Sequence, residues 1–138
     1  VISRLTGNYV FVVIDNEAGM EHLSRRTEEE VDHLFIVSDA SPRALRTIGR
    51  IIELINEMEG RIHNQHIVLS RVKGSIDDLP ESTRKEIDAL PQKPEAIIPY
   101  DEALIDLDLA GEPLVRINSN AVSYVAVRDM LKRLGILK

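Results

Sequence analysis

No cysteine occurs in the 138 residues, which excludes a disulfide framework, a thiolate metal site and a cysteine nucleophile within them. Neither a GxxxxGK[ST] loop nor a GxGxxG turn is present. These residues alone therefore cannot assemble a complete mononucleotide site, because the backbone cradle for phosphate is missing. No apolar run approaches the ~20 residues of a membrane helix, and no basic-then-apolar leader precedes the first apolar segment. A cytoplasmic protein without a membrane partner is expected. The net charge of -6 argues against a nucleic-acid surface, which would carry a basic stripe. Repeats and low-complexity segments are absent too. What remains is an ordinary globular composition, 43% hydrophobic, of a length that suits one domain or part of a larger one. The chain begins at Val1 rather than Met, the expectation being a chain processed or cut from something longer.

The stretch Tyr9 to Arg26 (YVFVVIDNEAGMEHLSRR) organises the rest. Val10 to Ile14 shows no alternation, so a strand buried on both faces is expected, as inside a parallel sheet. Asp15 then stands at its carboxyl end, where open parallel sheets bind ligands. Followed by Asn16, Glu17 and Gly19, its carboxylate has the setting to hold a metal-bound water beside a phosphate. The competing account is a turn, since Asp and Asn often end strands by bonding the next backbone N–H. Both readings stand on the residues alone.

Further along, Thr27 and Glu30 have capping-box spacing. His33 to Ser38 reads as a second strand ending at Asp39, and Ser41-Pro42 as the start of a helix with Leu45, Ile48, Ile52 and Ile55 on one face and Gly60 beyond it. His66 to Ser70 is a third strand, followed by Arg71 and a Lys73-Gly74 turn. A weaker helix over 76–90 is interrupted by Pro80. Ala96 to Ile98 is a fourth short strand. Asp101 is placed to cap a helix through Ala110, and Ser119 or Asn120 to cap a last one. Strand-helix alternation of this kind implies an α/β fold, a mostly parallel sheet with helices on both faces.

Such a sheet would bring Asp15, Asp39, Ser70-Arg71 and Pro99-Tyr100-Asp101 to one rim. The histidines are scattered at His22, His33, His63 and His66, and read as surface or packing residues. His63 and His66 fall near the start of a strand, away from the rim. Arg25-Arg26 has the charge to meet phosphate or an acidic partner, although exposed basic pairs are usually only solvated.

The segments VVIDNEAGMEHLSRRT, LFIVSDASPRAL and IPYDEALIDLDLAGEPL resemble the carbon monoxide dehydrogenase maturation ATPases, nickel-insertion proteins of the deviant-P-loop class that includes the nitrogenase iron protein and the septum-site and partition ATPases. The resemblance runs from about Tyr9 onward. It implies that Asp15 orients a water on Mg²⁺ and that the Gly19 N–H senses the γ-phosphate of ATP, with Glu17, Glu21, His22, Arg25 and Arg26 forming the switch and partner surface. Ser70-Arg71 matches an Asn-Arg pair near the adenine, and Pro99, Tyr100 and Asp101 match the loop lining the base. Serine departs from the pattern, offering one donor hydrogen where the amide has two. The family's lysine-bearing phosphate loop is absent from these residues, as is the Cys-x-Cys motif that would take Ni²⁺ or Zn²⁺. The chain is accordingly expected to be the carboxyl-terminal portion, 1–138, of a single P-loop ATPase domain. The resemblance further implies a homodimer with carbon monoxide dehydrogenase as client. Two other functions stand beside it: a partition-type or septum-site-type ATPase, and a non-catalytic α/β interaction module.

Overall fold

The computed structural model describes residues 7–16, 30–57 and 61–138. Strand β1 (Val31–Ser38) leads to helix α1 (Pro42–Asn56), β2 (Ile62–Val72), α2 (Glu81–Asp88), β3 (Ala96–Pro99), α3 (Glu102–Leu109) and α4 (Val122–Arg133). Single tight turns of helix lie at Ile76–Asp78 and Leu114–Arg116. The strands pair in the order β1-β2-β3, and both pairings are parallel. Phe35 stands beside His66 and Ile36 beside Ile67, which brings all three carboxyl ends to one rim.

Successive residues of β2 point to opposite faces, and each face has its own cover. Ile67 and Leu69 pack with Ile36 beneath Leu45, Ile48, Ile52 and Ile55 of α1 and Ile87 of α2. Val68 packs the other way, with Ala96 of β3 and Met130 of α4, against which Phe35, Ile98, Val127, Leu131 and Leu134 are half-buried. Helices therefore cover both faces, which is why the middle of β2, Ile67 to Leu69, reads as continuous rather than alternating apolar sequence.

The helix starts follow local chemistry. The Ser41 hydroxyl accepts from the Ala44 N–H at 3.3 Å, with Pro42 in the first turn where its missing N–H costs nothing. Gly74 has φ +74, and an added Cβ would meet Asp78 Oδ2 at 2.8 Å, so this position requires glycine. The weaker helix expected over 76–90 is interrupted at Pro80 as its sequence implies, with the Ile76–Asp78 turn before that residue and α2 after it, because Pro80 lacks the N–H to continue. Gly60 and the Thr27 end of the capping box fall outside the described residues.

Three expectations are corrected. Residues 9–15 form no strand: Val10 and Val13 are 91% and 92% exposed, and Asp15 is exposed after them. A strand buried on both faces needs hydrogen-bonded neighbours, and among the described residues none runs beside this segment. Strand β2 starts at Ile62, earlier than expected, so His66 lies buried mid-strand while His63 is exposed. The polar residues before His66 hid this extension, yet they pair with β1 through the backbone, and Asn64 Nδ2 adds a bond to the Asp32 carbonyl at 3.0 Å. Helix α4 is capped by neither Ser119 nor Asn120. Its N-cap is Ala121, which has no side chain for the task.

Candidate functional site

The rim is built where the strands end. Between Leu69 and Val72 the pairing with β3 slips: Leu69 stands beside Ile97 and Val72 beside Pro99, leaving an extra residue on β2. Arg71 absorbs it with φ 57, the one left-handed non-glycine conformation among the described residues. Holding an L-residue there costs about 1–2 kcal/mol, and such strain gathers where a ligand or switch requires it.

Beyond the bulge, the Tyr100 N–H donates to the Val72 carbonyl at 2.8 Å, which ties the turn after β3 to the end of β2. Lys73 Nζ then lies 4.8 Å from the centre of the Tyr100 ring, an ammonium facing an aromatic π-system. Asp39, at the end of β1, accepts from the Ser41 N–H at 2.9 Å. Bonds from the Ser41 side chain and then its backbone hold the Asp39 carboxyl below its usual range, with a smaller contribution from the Arg71 charge. Asp101 accepts from Ala103 and, across 22 residues, from the backbone N–H and hydroxyl of Ser123. The Ser123 hydroxyl, followed by its N–H, lowers the Asp101 pKa.

Of the residues singled out in sequence, Asp39, Ser70, Arg71, Pro99, Tyr100 and Asp101 belong to this rim, with Ser70 and Arg71 inside β2 just before its end. Asp15 is exposed and belongs to no strand. Gly19, Glu17, Glu21, His22, Arg25 and Arg26 lie outside the described residues. Two contributors escaped sequence reasoning. Lys73 was legible only as part of a turn, and Ser123 carried no signal, because its partner lies far away in sequence. Among the described residues no group of three or more His, Asp or Glu is arranged to hold a metal ion.

A second polar cluster sits within the sheet. His33 Nδ1 and His66 Nε2 are 3.0 Å apart, and both rings stack with Phe35. His66 Nδ1 faces Glu95 Oε2 at 3.9 Å, and Glu95 in turn meets Arg133 of α4 at 3.6 Å.

No family model matches the chain. In sequence it is 37% identical over 135 residues to an uncharacterised ATP-binding protein of Methanocaldococcus jannaschii, an alignment that covers 97% of this chain and 52% of the relative. In structure it is similar to the MinD cell division protein of Aquifex aeolicus, with TM-score 0.74 and 24% identity over 99% of this chain and 58% of that one. It is also similar to the septum site-determining protein MinD of Pyrococcus horikoshii complexed with Mg-ADP, with TM-score 0.72 and 21% identity over 96% of this chain and 53% of that one. The fold is that of the MinD and ParA ATPases. The expected parallel α/β architecture is thereby borne out, and the homologues are ATP-binding proteins and P-loop ATPases of the MinD and ParA type. The chain spans about half the length of the curated relatives it matches. In this MinD-like sheet the Arg71 bulge and the Tyr100 turn share the carboxyl rim, the side on which open parallel sheets take their ligands.

Proposed function

We propose that this chain is part of an ATP-binding and ATP-hydrolysing protein of the MinD and ParA type, and that its rim lines the nucleotide base. The observation that carries the reading is Arg71, held at positive φ in a bulge beside the Tyr100 turn. Strain of this kind re-aims the backbone of Ser70 and Arg71, and the Lys73-Tyr100 pair offers a cationic aromatic surface beside it. Within this reading Ser70, Arg71, Pro99, Tyr100 and Asp101 serve the base, Asp15 and Gly19 serve hydrolysis, and Mg²⁺ accompanies the phosphates.

Nickel delivery to carbon monoxide dehydrogenase by a homodimeric metallochaperone is the finer reading, supported by the Asp15-Asn16-Glu17-Ala18-Gly19-Met20-Glu21-His22 motif. Its Ni²⁺ or Zn²⁺ would be cargo. The second reading, a septum-site or partition ATPase, is supported by the likeness to MinD and ParA structures.

Titration calorimetry tests the shared claim. The full-length gene product is expected to bind ATP, and residues 1–138 alone to bind it weakly or not at all, because nested phosphate-binding amides and their lysine are absent from them. Micromolar binding by 1–138 would reveal a phosphate site of a different kind. In the full-length product Asp15→Asn is expected to abolish hydrolysis while nucleotide binding persists, since the amide keeps the shape and loses the charge. Unchanged turnover with a lowered melting temperature would make Asp15 a turn residue.

A further inference from the structure

We infer that Asp101 is a positioning residue: its carboxylate fastens the start of α4 to the turn after β3, making the shape of the rim and the seating of α4 one equilibrium. The inference rests on the reading of that rim as the base edge of a nucleotide site. Asp101 Oδ1 accepts from the Ala103 N–H at 3.0 Å, while Oδ2 accepts from the Ser123 N–H at 2.9 Å and the Ser123 hydroxyl at 2.7 Å. An ionised carboxylate has no hydrogen to give a purine ring nitrogen, and three donors already engage this one. Most of its roughly four lone-pair sites are thus engaged by the protein itself.

One side chain thereby caps two helices. Asp101 is the N-cap of α3, and through Ser123, the second residue of α4, it also satisfies an N–H that Ala121 cannot reach. The far end of α4 is held as well, where Arg133 Nη2 donates to the Glu95 carbonyl at 2.8 Å, just before β3 begins. Between these two fastenings Met130 packs on Val68 and Ala96. Helix α4 is therefore tied at both ends to a strand of four residues, and Asp101 directly follows Tyr100. A shift of the turn would pull Oδ2 away from Ser123 and strand a buried hydroxyl and N–H. Linkage makes the effect mutual: a ligand that holds the turn must also hold α4, and unseating α4 must weaken that ligand.

The test is amide hydrogen exchange on the full-length product, with and without Mg-ADP, beside nucleotide affinities for wild type, Ser123→Ala, Asp101→Asn and the double variant. Mg-ADP is expected to raise protection across the first turn of α4 in wild type and in neither single variant. Ser123→Ala is expected to weaken nucleotide binding about three- to tenfold with the ATP-to-GTP preference unchanged, because fewer molecules hold the competent turn. The double variant should be no weaker than Asp101→Asn. Two results overturn the inference while sparing the nucleotide site: α4 protection indifferent to bound nucleotide, which leaves a simple cap, or altered base preference in Asp101→Asn with Ser123→Ala at wild-type affinity, which makes Asp101 a base contact. Failure of wild-type protein to bind Mg-ADP sinks the site reading and this coupling with it.

Discussion

Tyr9–Ile14 and Ile67–Leu69 are both unbroken apolar runs, the second preceded by the buried His66, yet one is open to water and the other is the centre of the molecule. Val10 and Val13 are almost fully exposed, whereas Val68 and Leu69 are 1% and 0% exposed. Composition does not separate them, since the first run is the longer and the more aromatic. Neighbours do. β2 has β1 on one side, β3 on the other, α1 above and α4 below. Its backbone groups are paired and both its faces are covered, and apolar side chains then remove surface from water at roughly 25 cal/mol per Å². The first run is also apolar and, among the described residues, has no ladder to join. Continuous apolarity thus reports capacity for double-sided burial, and the surrounding elements decide whether burial occurs.

The largest expected effect follows directly. Leu69→Ala should destabilise the chain by about 2–5 kcal/mol in urea melts, through lost transfer energy and the cavity left between α1 and the sheet. Val13→Ala should stay within about 0.5 kcal/mol, as for exposed positions generally. Equal losses at the two sites would break the comparison and show that residues 9–14 are buried in solution. If the chain is part of a longer ATPase, as proposed, a Val13→Ala cost that emerges only in that longer protein would sharpen it, by tying burial of this run to the added residues.

A smaller effect separates polar from apolar members of the same buried run. Burial, and then the neighbouring His33, push the His66 pKa below 6.5, while Glu95 opposes them. The unfolded chain therefore binds the proton first as pH falls. Stability is complete above 6.5 and is lost as the pH drops through 6.5 toward the lower folded-state value. The groups facing His66 are His33 from β1 and Glu95 before β3, the latter held by Arg133 of α4. Measured as urea midpoint against pH, His66→Phe should flatten the profile below 6.5 relative to wild type. A variant profile as steep as the wild type's would assign the acid loss to other groups.

Much of the fold was legible because its signals are local. Ser41-Pro42 announces α1, and Leu45, Ile48, Ile52 and Ile55 sit on the face their spacing predicts. Asp101 caps α3 as expected. The misses share a physical origin in partners distant along the chain. His63, Asn64 and Gln65 do not look like strand residues, and backbone pairing to β1 makes them one. The cap of α4 comes from Asp101, 22 residues earlier, so no window around Ser119 could reveal it. Tyr9–Ile14 failed in the opposite sense, with a strong local pattern and no neighbour. At the site, the resemblance placed Ser70-Arg71 and the Pro99 turn together, and the sheet does so too. The left-handed backbone of Arg71 was illegible, because arginine gives no hint of positive φ.

The smallest expected effect concerns that residue and contrasts the relaxed, buried part of β2 with its strained end. Arg71→Gly removes the Cβ that makes φ 57 costly. It also loosens the unfolded chain, whose greater entropy offsets part of the gain, so the net change should be a stabilisation of no more than about 1 kcal/mol. The sign carries the information. Exposed side chains rarely contribute more than a few tenths of a kcal/mol, so if Arg71 matters to the fold only through its backbone, the melting temperature should hold or rise. Nucleotide affinity in the full-length product should fall at the same time, because the guanidinium and the fixed direction of the backbone are both lost. A clear drop in stability would mean that the Arg71 side chain, beside the Asp39 carboxylate, contributes more than the strain costs. Unchanged affinity with raised stability would remove the reason for the strain, and with it the strongest argument that this rim was shaped for a ligand.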